Sequence, residues 1–503
     1  MPSLLFALGF LMVGLIGCKK NPGPSPQEFR IQISSEPVSL DPSLAEDGVA
    51  LRILANTQEG LLGYDGAGEL QHRMAESHSV SRDGRRYEFT LRSNARWSDG
   101  QPVRAEDFIT GLKRTLLPHT AAPLAELLFV IRGAKPFYLG KSGFESVGVS
   151  ARDGKLIIEL ERPTPYLPHL LTLMAAAPQR ADVLAANGGS WPTVGAPSTG
   201  PFQITERIAD RSLLLVKNPH YFAGHDSAAP QAVRLQVVQD ESTAAALFDQ
   251  GLLDVLTRVP ALDLKRFREK GVVRTDPFFA TFYLAFNVRT GPFREASVRR
   301  VVAAAIRKQE ITQALGSGER AASSWIAHGL EGYYEFSESR LVKGKGELEP
   351  FVIGFDTSGR NSMIMEKIQQ DVFVATGVRP TLKNMDWKSY VKLLRTDPPL
   401  LFRFGWLSPF RDPISHLQVF VTGSPNNHSG WTNAEYDRLV AEISALESGP
   451  KREAKIRRAQ QILVEQEAAV IPIYHYVQTH AVSPRVKNFR ANPFGVIRLN
   501  ELR

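Results

Sequence analysis

Apolar and polar positions alternate along the chain at two periods, and the two periods fall in different places. A period of two, the mark of a half-buried strand, runs through Phe29-Arg30-Ile31-Gln32-Ile33, Tyr87 to Leu91 and Leu156 to Leu160. A helical stripe follows at Val298, Val301, Val302, Ala305 and Ile306, which stand at i, i+3, i+4, i+7 and i+8. Tyr436, Leu439, Val440, Ile443 and Leu446 make a second stripe, and Ile456, Ala459 and Leu463 a third. Beyond it, Ala469 to Tyr474 reads as a buried strand containing Pro472. Pro and Gly crowd residues 188–201 and 344–350, which are expected loops. These elements describe a mixed α/β protein of more than one lobe. The first apolar run, Leu4 to Gly17, is uncharged and 14 residues long. That is too short to span a bilayer comfortably and suits the apolar region of a secretion signal.

Composition sharpens this picture. At roughly 150 residues per domain, a chain of 503 implies about three folded units. Hydrophobic residues at 43% and charged residues at 22% exclude disordered, collagenous and multi-pass membrane classes. The net charge of +8 is thin over this length, and no run of five like charges offers a nucleic-acid arm. The single cysteine, Cys18, excludes an internal disulfide framework and a multi-cysteine zinc site. Leu15-Ile16-Gly17-Cys18 resembles a bacterial lipobox, in which the thiol receives a diacylglycerol before cleavage. Residues 1–18 are then a lipoprotein signal peptide ending at the lipidated Cys18, and 19–28, rich in Pro, Gly and polar residues, a flexible tether. The other reading is a buried helix with an incidental cysteine. The lipid reading anchors the protein to the outer side of a bacterial membrane without spanning it.

Catalytic spacing is absent. The chain has no HExxH, no G-x-S-x-G and no P-loop. Its eleven histidines are scattered: His72 and His78 lie six apart, and His475 sits between two tyrosines in a strand. Gly344-Lys345-Gly346 reads as a surface turn. No catalytic residue, metal or cofactor is expected, and the chain is not read as an enzyme.

Several segments together resemble the extracytoplasmic solute-binding proteins of ABC importers, in particular the peptide, dipeptide and nickel family. They begin at Glu36-Pro37-Val38-Ser39-Leu40-Asp41-Pro42 and Glu59-Gly60-Leu61-Leu62. The clearest runs from Trp97-Ser98-Asp99-Gly100 through Pro102-Val103 to Ala105 and Asp107-Phe108. Its residues also read locally as a strand, an Asp-Gly turn and an acidic helix start. Thr199-Gly200-Pro201-Phe202, Asn218-Pro219-His220-Tyr221, Phe286-Asn287, a helix from Val298 to Ile311 and Ala469 to Tyr474 continue the match in the family's order. The resemblance implies a periplasmic-binding-protein-like (type II) α/β fold, a three-lobed clamp with the ligand cleft between lobes I and III. Lobe I would comprise 29–60, 186–275 and 483–503, lobe II 61–185, and lobe III 276–482. It further implies a peptide or peptide-like solute, captured by hinge closure and handed to the transmembrane subunits of a permease.

In peptide-binding relatives a buried aspartate in a G-W-x-x-D-Y-x-D-P segment pairs with the ligand's amino terminus. Here the segment is Gly405-Trp406-Leu407-Ser408-Pro409-Phe410-Arg411-Asp412-Pro413, and the aspartate has become Pro409, which cannot accept an ammonium. By the same resemblance Glu46, Tyr283, Trp387, Arg395, Arg403, Trp406 and Asp412 are candidate ligand contacts, with Tyr283 facing the cleft. Arginines hold carboxylates bidentately, so an anionic ligand end is expected. Other readings remain open: a non-peptide small molecule on the same fold, or an anchored enzyme or receptor.

Overall fold

The structure is a computed structural model describing residues 28–336, 348–357 and 359–503. Cys18, the signal segment, most of the tether and the Gly344-Lys345-Gly346 turn lie outside the described residues. Among the described residues no helix is long and apolar enough to cross a membrane.

An 11-stranded mixed sheet runs through the molecule in two halves. In the first half, Glu28–Ile33 pairs in parallel with Ala232–Val237 and Val255–Leu256, and Ser212–Lys217 and Phe202–Ile208 extend the edge antiparallel. In the second half, Val352–Asp356 pairs in parallel with Thr381–Met385 and with Leu401–Leu407. Two long antiparallel strands, Val273–Phe286 and Val470–Val482, pass from one half to the other. Their register slips between Pro277 and Thr281 and again between Phe282 and Tyr283. Slips of this kind bend and twist a strand locally.

A separate four-stranded module, containing Ala75–Val80, Arg86–Leu91, Val149–Arg152 and Lys155–Glu159, packs its buried face on the helix Ala105–Leu116. The Trp97 to Phe108 segment makes this joint. Gly100 turns with φ +85°, and Asp107 accepts from the Arg104 N–H at 2.9 Å and from Trp97 Nε1 at 3.1 Å. That fixes the helix start where its dipole favours negative charge. Asp41 then ties the first half-sheet to the module. Its two oxygens receive Arg114 Nη1 and Nη2, each at 2.6 Å, while the Trp191 N–H donates to the same carboxylate. Gly200 is needed for a close approach, since a Cβ there would lie 2.6 Å from the Thr57 carbonyl carbon.

The helix expected from Val298 to Ile311 is two helices, Ala296–Ala305 and Lys308–Leu315. Ile306 is extended, and the buried Asp371 carboxylate takes the Arg307 N–H at 3.0 Å and its guanidinium at 2.6 and 2.8 Å. A side-chain acceptor for a backbone N–H competes with the helical ladder and ends it.

Candidate functional site

The parallel strands of both half-sheets point their carboxyl ends at one another across a cavity of ≈ 500 Å³. Ser34, Gln239 and Thr257 follow the strand ends of the first half, and Gly359 and Arg360 follow the strand Val352–Asp356 of the second. The long strands form its floor with Phe278, Tyr474, Tyr476 and Gln478. Crevices beyond the carboxyl ends of parallel strands are where open α/β sheets take ligands.

Charge in this cavity comes mostly in pairs. Arg403 donates Nη1 to buried Asp356 at 2.6 Å and Nη2 to the Tyr476 hydroxyl at 3.1 Å, and lies over the Phe282 ring. Burial opposes its charge, but Tyr476 and Asp356 outweigh that and keep its pKa above the ordinary value. Arg360 meets Glu319 at 3.1 Å, and Arg258 meets Glu241 at 3.3 Å. Burial, with Arg52 nearby, pushes His480 down to about 4, so the imidazole is neutral at pH 7. Gly405 keeps the wall flat: a Cβ there would stand 3.2 Å from the Tyr476 hydroxyl.

Of the candidates from the sequence, Arg403 lines this cavity. Phe402, Phe404 and Trp406 point to the opposite face of the same strand. There Trp387, 50% exposed, stacks on Phe404 at 5.6 Å, and Trp406 keeps a buried Nε1 with no hydrogen-bond partner. Glu46 and Arg395 are exposed outside the cavity. Two expectations need correcting. Tyr283 does not face a cleft: it is 2% exposed and packs edge-on against Trp325 at 4.8 Å and Phe420 at 6.0 Å. Asp412 is buried with both oxygens 2.7 Å from Arg452 Nη2, and it accepts from the Ile414 N–H. It is a structural ion pair with no oxygen turned to a ligand.

Pro409 sits half-buried in a segment that joins the second half-sheet to the four-stranded module. Phe410 stacks on Tyr166 at 6.0 Å. Arg411 meets Glu69 at 2.5 Å, donates to the Gly68 carbonyl, and gives its N–H to the Tyr64 hydroxyl at 2.9 Å. The Arg411 cation is therefore already occupied. Sequence reasoning missed Arg52, Glu319, Arg360, Tyr474 and Tyr476 as cavity residues. The Tyr474-His475-Tyr476 alternation, which places both tyrosines on one face, was the available signal.

Among the described residues no cluster of three or more His, Cys, Asp or Glu has the geometry to hold a metal ion. His72 Nε2 and His78 Nδ1 meet at 2.9 Å as a pair alone, and burial lowers the His78 pKa.

The sequence profile of the bacterial extracellular solute-binding proteins, family 5 Middle, matches residues 69–428. The chain is 28% identical to the oligopeptide-binding protein OppA of Bacillus subtilis, covering 96% of this chain and 94% of that protein. It is 30% identical to the dipeptide-binding protein DppE of the same organism, over 92% and 90%. The solved structure of the Escherichia coli murein tripeptide binding protein MppA matches with a TM-score of 0.81 at 27% identity, covering 95% of this chain and 98% of that one.

Proposed function

The chain belongs to the bacterial extracellular solute-binding proteins of family 5, which are substrate-binding proteins and not enzymes, and from that premise we propose that it captures a peptide or peptide-like solute for an ABC importer. Its fold is the type II periplasmic-binding arrangement. The observation that carries the reading is the ≈ 500 Å³ cavity between carboxyl strand ends, floored by two long strands that both half-sheets share. Such a cavity closes by rotation of one half against the other, and a ligand that touches both walls stabilises the closed form.

In this reading lobe I is 29–60, 186–275 and 483–503, lobe II 61–185 and lobe III 276–482. Arg403 and the tyrosines beside it contact the solute at the cavity floor, while Trp387 and Trp406 lie on the opposite face of the Arg403 strand. Cys18 carries the lipid anchor, and a permease receives the solute from the closed form. Native mass spectrometry of freshly purified protein is the direct test, joined to small-angle scattering before and after ligand addition. A retained or added peptide with compaction of the profile is expected. An unchanged profile at saturating peptide would overturn capture by closure.

A further inference from the structure

The cavity contains one arginine that the pairing described above leaves out. Arg52 projects from the helix Gly48–Thr57 and lines the ≈ 500 Å³ cavity on one side and a smaller, largely apolar cavity of ≈ 60 Å³ on the other. Its Nε is buried without a hydrogen-bond partner, and among the described residues no carboxylate lies within ion-pair distance. Asp47, the acid whose charge it feels, is occupied elsewhere. That carboxylate caps the helix by accepting from the Val49 and Ala50 N–H groups and also takes the Val38 N–H.

Gly495 allows its backbone to pack close on the guanidinium, since a Cβ there would stand 2.8 Å from Nε. The other cationic walls are neutralised: Arg403 by Asp356, Arg360 by Glu319, Arg258 by Glu241. His480, beside Arg52, is buried in the same wall. A partly buried cation lacking a partner has lost hydration without compensation, and an incoming carboxylate restores it with a charge-assisted hydrogen bond.

We propose that Arg52 is the anion-binding group of the cleft and that it receives a ligand carboxylate, the carboxyl terminus of a bound peptide. The proposal rests on the peptide-capture reading and adds the end of the ligand that is read and the residue that reads it. The ligand then enters with its carboxylate toward lobe I, and the pairs on lobe III stay intact.

Calorimetry with tri-, tetra- and penta-alanine, each as free acid and as carboxamide, tests this. The full-length protein should bind the free acid of its preferred length about tenfold or more tighter than the amide, the scale of one charge-assisted hydrogen bond. Arg52→Gln should bind both forms alike, and Arg52→Lys should keep part of the preference; circular dichroism checks that each variant is folded. Equal binding of acid and amide by the unmodified protein, or undiminished discrimination in Arg52→Gln, would overturn the proposal and leave peptide capture standing. No binding of any form at any length would overturn peptide capture and this proposal with it.

Discussion

Replacing Glu59 by Gln should destabilise the protein far more than a surface substitution would. Glu59 follows the helix Gly48–Thr57 where the first half-sheet meets the four-stranded module, and its side chain is 4% exposed. Its Oε1 accepts from Arg498 Nη2 at 2.9 Å and from the Tyr221 hydroxyl at 3.0 Å, and its Oε2 lies 3.7 Å from Arg73 Nε. Arg498 is itself 5% exposed, and the mutation leaves this buried cation with Glu501, 3.9 Å from its Nε and partly open to solvent, as its remaining carboxylate. Breaking one side of a buried pair costs about 3–5 kcal/mol. The Gln carbonyl still accepts hydrogen bonds, which places the loss near the lower end, about 3 kcal/mol. In a cooperative unit of 150–250 residues that lowers Tm by roughly 6–12 °C. Burial alone would raise the Glu59 carboxyl, but Arg498, Arg73 and the two hydrogen bonds bring it below its usual value. The stabilisation is therefore complete above the ordinary carboxylate range and is lost as pH falls through the depressed folded value. The Tm gap between wild type and Glu59→Gln should narrow in that acid window. The double variant Glu59→Met with Arg498→Met removes both charges and should be more stable than Glu59→Gln. Scanning calorimetry at pH 7 and in acid reads all of this. A Tm within about 2 °C of wild type for Glu59→Gln, or a double variant worse than either single one, would refute the reasoning.

Cys18→Ala should abolish incorporation of labelled lipid, and continued labelling elsewhere would show a different anchor. Because Pro409 offers no carboxylate, calorimetry should find that amino-acetylated and free forms of one peptide bind with similar affinity; a strong preference for the free form would show that another acid, Glu46 foremost, receives the ammonium. Asp412→Asn should lower Tm by less than Glu59→Gln, since Arg452 loses one buried carboxylate but keeps Glu331, while peptide affinity of the folded fraction stays unchanged. Lost affinity at unchanged Tm would return Asp412 to the ligand site.

Local pattern carried the elements well where each residue's fate depends on near neighbours. Phe29 to Ile33, Tyr87 to Leu91 and the stripe from Tyr436 to Leu446 became the strands Glu28–Ile33 and Arg86–Leu91 and the helix Ala434–Ser444, which ends before Leu446. Failures arose where a distant residue decides. Ile306 breaks its helix because Asp371, far along the chain, accepts the Arg307 N–H. Arg411, close to Pro409 in the chain, is occupied by Glu69 from a distant hairpin. Tyr283 shows a subtler limit: the resemblance places its ring at the cleft, but the strand turns Phe279, Tyr283 and Ala285 to one core and Phe282, Leu284 and Phe286 to the other.

The register slips of the long strands also bear on how closure would work. Between Pro277 and Thr281 the ladder of the two long strands is interrupted, and Phe278 in this gap, with Val477 beside it, lines the cavity floor. Pro277 lacks an N–H, so one ladder bond is missing there in any conformation. Gln478 substitutes locally, donating Nε2 to the Pro277 and Asn492 carbonyls at 2.7 and 2.8 Å. Bending at this point breaks few backbone hydrogen bonds, whereas bending through the regular pairing of Ala280–Phe286 with Leu401–Leu407 would break many. On the proposed closure the second half-sheet would therefore move as a rigid body, carrying the Arg403–Asp356 and Arg360–Glu319 pairs with it. Because these pairs form within that half, such closure would neither make nor break them, and they would contribute almost nothing to the difference between open and closed states. What remains to distinguish the states is apolar contact, backbone hydrogen bonding to the solute, and the lone charge of Arg52 on the opposite wall. If the proposed reading holds, a cleft so arranged would respond mainly to the ligand's backbone and one anionic end.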